Sequence, residues 1–165
     1  INDYINNNKI VGYRIYDEVI NESEFFRIIN ELRNINIVTI PSFVSIIGKE
    51  AFQNSFIQQI IFSENSRLTT IQSYAFEGSL LTNINLDNCI NLNKIGDNAF
   101  DGCSLTSVII PNSVTRIGKY AFYINLDEDE DNPLSNVNLT EVTIPTIFES
   151  HINRIFSNTT KLRIN

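Results

Sequence analysis

Methionine and tryptophan are absent from this 165-residue chain, histidine occurs once, and cysteine only twice. One histidine leaves no second imidazole for a metal centre, and neither cysteine stands at ligand spacing from it. Basic residues are also scarce: 12 Lys and Arg against 19 Asp and Glu give a net charge of −7. That balance argues against a nucleic-acid binder, or a binder of anionic membranes, that works through charge. No apolar run approaches the roughly 18 residues of a membrane span, so no direct membrane insertion is expected. With Ile1 first and no Met anywhere, the chain reads as a processed or excised piece, and a signal peptide or anchor would lie outside it. What remains is 42% apolar and 19% charged, the composition of one globular domain able to bury a core.

Alanine is the most informative scarcity. There are four, and all stand before phenylalanine: Ala51-Phe52, Ala75-Phe76, Ala99-Phe100 and Ala121-Phe122. The steps between them are 24, 24 and 22 residues, a period that marks a solenoid. Ten residues after the first three Phe, a strand-like segment ends at Phe62, Leu86 or Ile110, and Ile40 closes the same segment one turn earlier. Pro41, Pro111 and Pro145 follow strand ends directly, where a missing donor stops a ladder. Two further apolar residues precede each Ala-Phe: Val44 and Ile47, Leu68 and Ile71, Leu92 and Ile95, Val114 and Ile117. Gly48, Gly96 and Gly118 come next, with Gln72 in the equivalent place. Coils begin near 35, 57, 81, 105 and 139, and Lys161–Ile164 starts a sixth strand. Each complete copy has seven core slots, and His151 is the one polar occupant among them.

The spacing dictates the physics of a coil. A short strand turns Val38 and Ile40 inward and Thr39 outward. The Gly-Lys-Tyr-Ala-Phe corner has room for one turn of helix. Alanine suits close approach of stacked backbones, and Phe fills the layer beside it. One coil cannot bury seven apolar residues alone, so coils must stack.

The segment from Leu105 to Phe122, with its strand, Pro111, the Val114 and Ile117 slots, Gly118 and Ala121-Phe122, closely resembles the BspA-like class of leucine-rich repeat. Residues 35–164 carry the resemblance. It implies an α/β leucine-rich-repeat solenoid, mainly β: a right-handed superhelix of about five coils with a parallel concave sheet and short helical turns. It also implies a secreted or cell-surface protein, some relatives being adhesins.

Residues 1–34 do not fit the register. Phe25, Ile28, Ile29 and Leu32 share one face behind an Asn21 or Ser23 cap, predicting a helix near 23–33. Such a helix would close the open end of the first coil, which makes 1–34 an N-terminal capping segment; a divergent first repeat is the alternative.

Candidate chemistry is thin. His151 holds a slot that is Ile in the four earlier copies, so it reads as a degenerate last repeat and not as a base or ligand. No triad, phosphate loop or nucleophile elbow accompanies it, so neither catalysis nor a cofactor is expected. Cys89 and Cys103 read as buried free thiols. An insertion at 123–136 carries Asp127-Glu128-Asp129-Glu130-Asp131; Asn132, Pro133 and Asn138 break the calcium-loop pattern, so a solvated acidic loop is expected. Three glycosylation sequons, at Asn21, Asn138 and Asn158, match the chance expectation of about three or four in so Asn-rich a chain.

The outward strand positions are therefore the candidate site. Ile37, Gln59, Asn83, Ser107 and Glu141 should form one column, and Thr39, Ile61, Asn85, Ile109 and Thr143 its neighbour. A low-charge sheet face of amides, hydroxyls and isoleucines suits a protein or glycan partner, which the resemblance would place on a host or neighbouring cell. A structural spacer projecting another domain, or an intracellular interaction scaffold, are the competing readings.

Overall fold

In the computed structural model, residues 5–6, 9–10, 36–123, 139, 141–156 and 161–164 are described. They form a parallel β-solenoid of about four regular turns with little helix. The predicted helix near 23–33, the Ile35 slot and the acidic run 127–131 lie outside the described residues.

Each turn contributes two strands. The first set is β3 (Ile37–Ile40), β5 (Gln59–Phe62), β7 (Asn83–Ile84), β9 (Ser107–Ile109) and β11 (Glu141–Ile144). The second set is shorter: β4 (Ile46–Ile47), β6 (Thr70–Ile71), β8 (Lys94–Ile95) and β10 (Arg116–Ile117), all parallel. At its start the second sheet takes in a hairpin from the N-terminal segment, β1 (Ile5–Asn6) and β2 (Lys9–Ile10), with Lys9 and Ile10 in register with Ile46 and Ile47. β12 (Lys161–Ile164) pairs with β11 at the far end.

The periodic slots are the core. Every buried apolar side chain among the described residues is one of them or is Cys89, Cys103 or Pro145. Phe52, Phe76, Phe100, Phe122 and Phe156 stack down the axis, with centroids 5.2, 5.1, 5.0 and 5.3 Å apart and planes within 16°. Parallel rings at this spacing follow from identical offsets repeated once per coil.

The corners differ from the expected helical turns. In the four regular turns they are consecutive tight turns, such as Ala51 N–H to Gly48 O and Gln53 N–H to Glu50 O, both 3.3 Å. The cause is a left-handed residue just before each Ala: Glu50 (φ 57°), Tyr74 (62°), Asn98 (53°) and Tyr120 (59°). That conformation aims alternate N–H groups along the stacking axis. Tyr74, Phe76 and Gly78 donate to Asp97, Ala99 and Asp101 of the next coil at 3.0, 2.8 and 2.8 Å, so even the corners form a ladder. A helix would have turned these donors back into its own coil. Left-handed geometry at a tyrosine costs about 1 kcal/mol or more, and asparagine tolerates it better. Tyr74→Asn should therefore raise stability by about 1 kcal/mol in a urea titration; a loss of stability would show that the Tyr74 ring contributes more than its backbone costs.

Among the described residues, helix appears only in the last copy, as a 3₁₀ segment Thr146–His151 running into Ile152–Ile155. Phe148, Ile155 and Phe156 still fill core slots, while these helical turns replace the strand of the second sheet. His151 is exposed there, its Nδ1 2.9 Å from Ser150 Oγ.

Candidate functional site: the outer face of the first sheet

The pleat of the first sheet turns every second side chain outward. Val38, Ile60, Ile84, Val108 and Val142 face the core, while Ile37, Gln59, Asn83, Ser107 and Glu141 face away, as do Thr39, Ile61, Asn85, Ile109 and Thr143. Glu141 and Thr143 are half-buried and the other eight are exposed. Register brings Ile37, Gln59 and Asn83 into line, and separately Ser107 and Glu141. Thr39 aligns with Ile61, and Ile109 with Thr143.

The columns do not run unbroken. β3, β5 and β7 form one three-stranded sheet and β9, β11 and β12 another, with no ladder between β7 and β9. Two local features lie at the break, though neither alone explains it, since Pro145 holds the place of Pro111 one coil on and β9 and β11 keep their ladder. In the second coil Ser63 N–H donates to Ile40 O at 3.1 Å; the matching donor for Leu86 O would be residue 111, which is proline. Pairing is already thinning at β7, where Asp87 N–H turns to its own Asn85 Oδ1 at 2.8 Å and the Asn88 amide caps Phe62 O at 3.0 Å. A groove of about 180 Å³ occupies the seam, with Asn83, Asn85 and Asp87 on one wall and Ser107 and Ile109 on the other.

The face also extends one strand further than the ten predicted residues. Lys161 and Arg163 stand in register with Glu141 and Thr143, and an Arg163 guanidinium nitrogen lies 3.0 Å from the Glu141 carboxylate. The sixth strand was legible at Lys161–Ile164; carrying its alternation through would have added Arg163, which is exposed.

A family profile described as the BspA type leucine-rich repeat region matches residues 15–127 in six copies, about two thirds of the chain. The chain belongs to this family. No curated protein and no solved structure matches it. The match starts within the segment upstream of Ile35 and stops before the copy at 139. BspA-type repeats are generally protein-interaction modules and are typically non-catalytic. Among the described residues, no helix is long and apolar enough to cross a membrane.

The two cysteines belong to the interior of the BspA-type coil. Both are free and buried. Burial pushes the Cys89 thiol up to about 11, its hydrogen bond to Ser66 offsetting only part of that, and the Cys103 thiol up to about 12. Cys103 Sγ donates to Phe76 O at 3.1 Å and lies 3.4 Å from Ser79 Oγ, filling a polar gap between turns. Thiols held this far toward the protonated form are poor nucleophiles and poor metal ligands.

Proposed function

We propose that this is a non-catalytic recognition module of the cell surface or a secreted protein, which binds a protein or glycan through the outer, concave face of its first sheet. The observation that carries the reading is the character of that face. Ile37, Ile61 and Ile109 are 50%, 43% and 56% exposed within a field of amides and hydroxyls. Parallel sheets are usually covered on both sides, and no helix among the described residues lies over this one. Short amide and hydroxyl side chains bind without ordering long rotamers, and the isoleucines supply apolar area. In a glycan, sugar hydroxyls would meet the amides of Asn83 and Asn85; in a protein, an apolar side chain would cover Ile109.

The test pairs two variants against a glycan array and a panel of purified extracellular-matrix proteins. Asn85→Arg with Ile109→Glu should weaken the strongest hit by at least about tenfold, or 1.4 kcal/mol, with the melting transition unchanged. Lys49→Glu, at the opposite corner, should leave it unaltered. Loss of binding in the corner variant alone would overturn the assignment to this face. No hit on either panel, with the domain folded, would favour a spacer.

A further inference from the structure

The second sheet ends abruptly, and its last edge opens into a cleft. In each earlier turn, two carbonyls of a strand are filled by the next coil. Ser45 O, Thr69 O and Asn93 O accept from Thr69, Asn93 and Thr115 at 2.8, 2.9 and 3.0 Å. Likewise Ile47 O, Ile71 O and Ile95 O accept from Gln72, Gly96 and Gly118 at 3.0, 2.8 and 2.9 Å. Thr115 O and Ile117 O are the next pair, and among the described residues no backbone amide reaches either. The chain that would have supplied it has turned into the helical segment 146–155.

A cleft of about 400 Å³ stands where the missing strand would lie. Arg116, Lys119, Arg154 and His151 line it, above a floor that includes Ile117 and Ile147. Ile117 is only half-buried although Ile47, Ile71 and Ile95 in its slot are buried, and Ile147 is 60% exposed. No carboxylate among the described residues pairs with Arg116, Lys119 or Arg154. In a chain of net charge −7, three cations lining one cleft concentrate positive charge locally, the Asp97 carboxylate at its edge accepting from the Lys119 backbone N–H at 2.8 Å.

We propose that this cleft takes an extended acidic peptide segment of a partner protein, added as a short strand along the free edge of β10. Each feature asks for a different part of such a segment. The two open carbonyls ask for backbone N–H donors, which an inorganic anion lacks. Ile117 and Ile147 ask for an apolar side chain, and the cations for carboxylates on the alternate positions. At about 3.3 Å per residue, three to five residues pass the edge and its flanking cations.

The probe is a fluorescent five-residue peptide alternating glutamate and valine, titrated by anisotropy into the whole chain. Binding should fall with added salt and drop at least about tenfold in Arg116→Glu with Arg154→Glu. Arg116→Gln with Arg154→Gln, a milder change, keeps the test valid if the charge reversal perturbs folding. N-methylation of the peptide backbone should cost a similar factor, and the lysine counterpart should not bind. Asn85→Arg with Ile109→Glu should bind the peptide like the parent chain, which separates this site from the face of the first sheet. Equal binding of the N-methylated peptide, or its displacement by inorganic phosphate at comparable concentration, would reduce the cleft to a plain anion site and overturn the proposal. Binding that appears only after Asp127, Asp129 and Asp131 are changed to Asn would make the chain's own acidic run the occupant and overturn an external partner.

Discussion

Phe100→Ala should cost about 3–5 kcal/mol, measured as a shift in the urea midpoint without a change in slope. Phe100 is the middle ring of five, stacked at 5.1 Å on Phe76 and at 5.0 Å on Phe122, and it is 1% exposed. Truncation removes contacts on both sides. The cavity cannot close by sliding the coils together, because the backbone ladder beside it fixes their spacing: Phe76 N–H to Ala99 O and Phe100 N–H to Ala121 O are both 2.8 Å. The exposed change Asn112→Ala should move the midpoint by less than about 0.5 kcal/mol. Equal shifts for the two would mean that the aromatic column does not hold the coils together.

The second large effect is expected at Gly96. An added Cβ there would stand 2.4 Å from Ser73 N and 2.7 Å from Gln72 C, both backbone atoms of the preceding coil. Nothing flexible is available to move aside. Gly118 repeats the contact one turn on, 2.3 Å from Asp97 N. Gly96→Ala should therefore force the coils apart and cost about 3 kcal/mol or more, the upper end of overpacking penalties. It should also weaken amide protection at Gly96 and Gly118, whose N–H groups donate to Ile71 O and Ile95 O. A neutral Gly96→Ala in denaturant titration would remove the claim that these turns are in close contact.

The stacking was legible because it is written as a period. Slots recurring with Ala-Phe named the core almost residue by residue, since identical offsets must meet when coils pile up. Local backbone chemistry was harder to read. Nothing in the side chains of Tyr74 or Tyr120 announces a left-handed residue; the need for it arises from the next coil's carbonyls, so a helical turn looked equally good. The seam between β7 and β9 carried no such mark: Pro145 holds the same place as Pro111, yet β9 and β11 keep their ladder. The β10 cleft was hidden for a related reason. Arg116, Lys119 and Arg154 are unremarkable in sequence, and they converge only because the last copy abandons its second strand.

The seam has a mechanical consequence. Across it the corner hydrogen bonds, the Phe100–Phe122 stack and the β8–β10 pairing are all kept, while the β7–β9 ladder is not. The joint is stiff along one side of the stack and compliant along the other, like the spine and fore-edge of a book. Bending there splays or closes Asn83 and Asn85 against Ser107 and Ile109 while costing little elsewhere. The first four coils are then two leaves on a single fold line, since the two earlier junctions keep the ladders of both sheets.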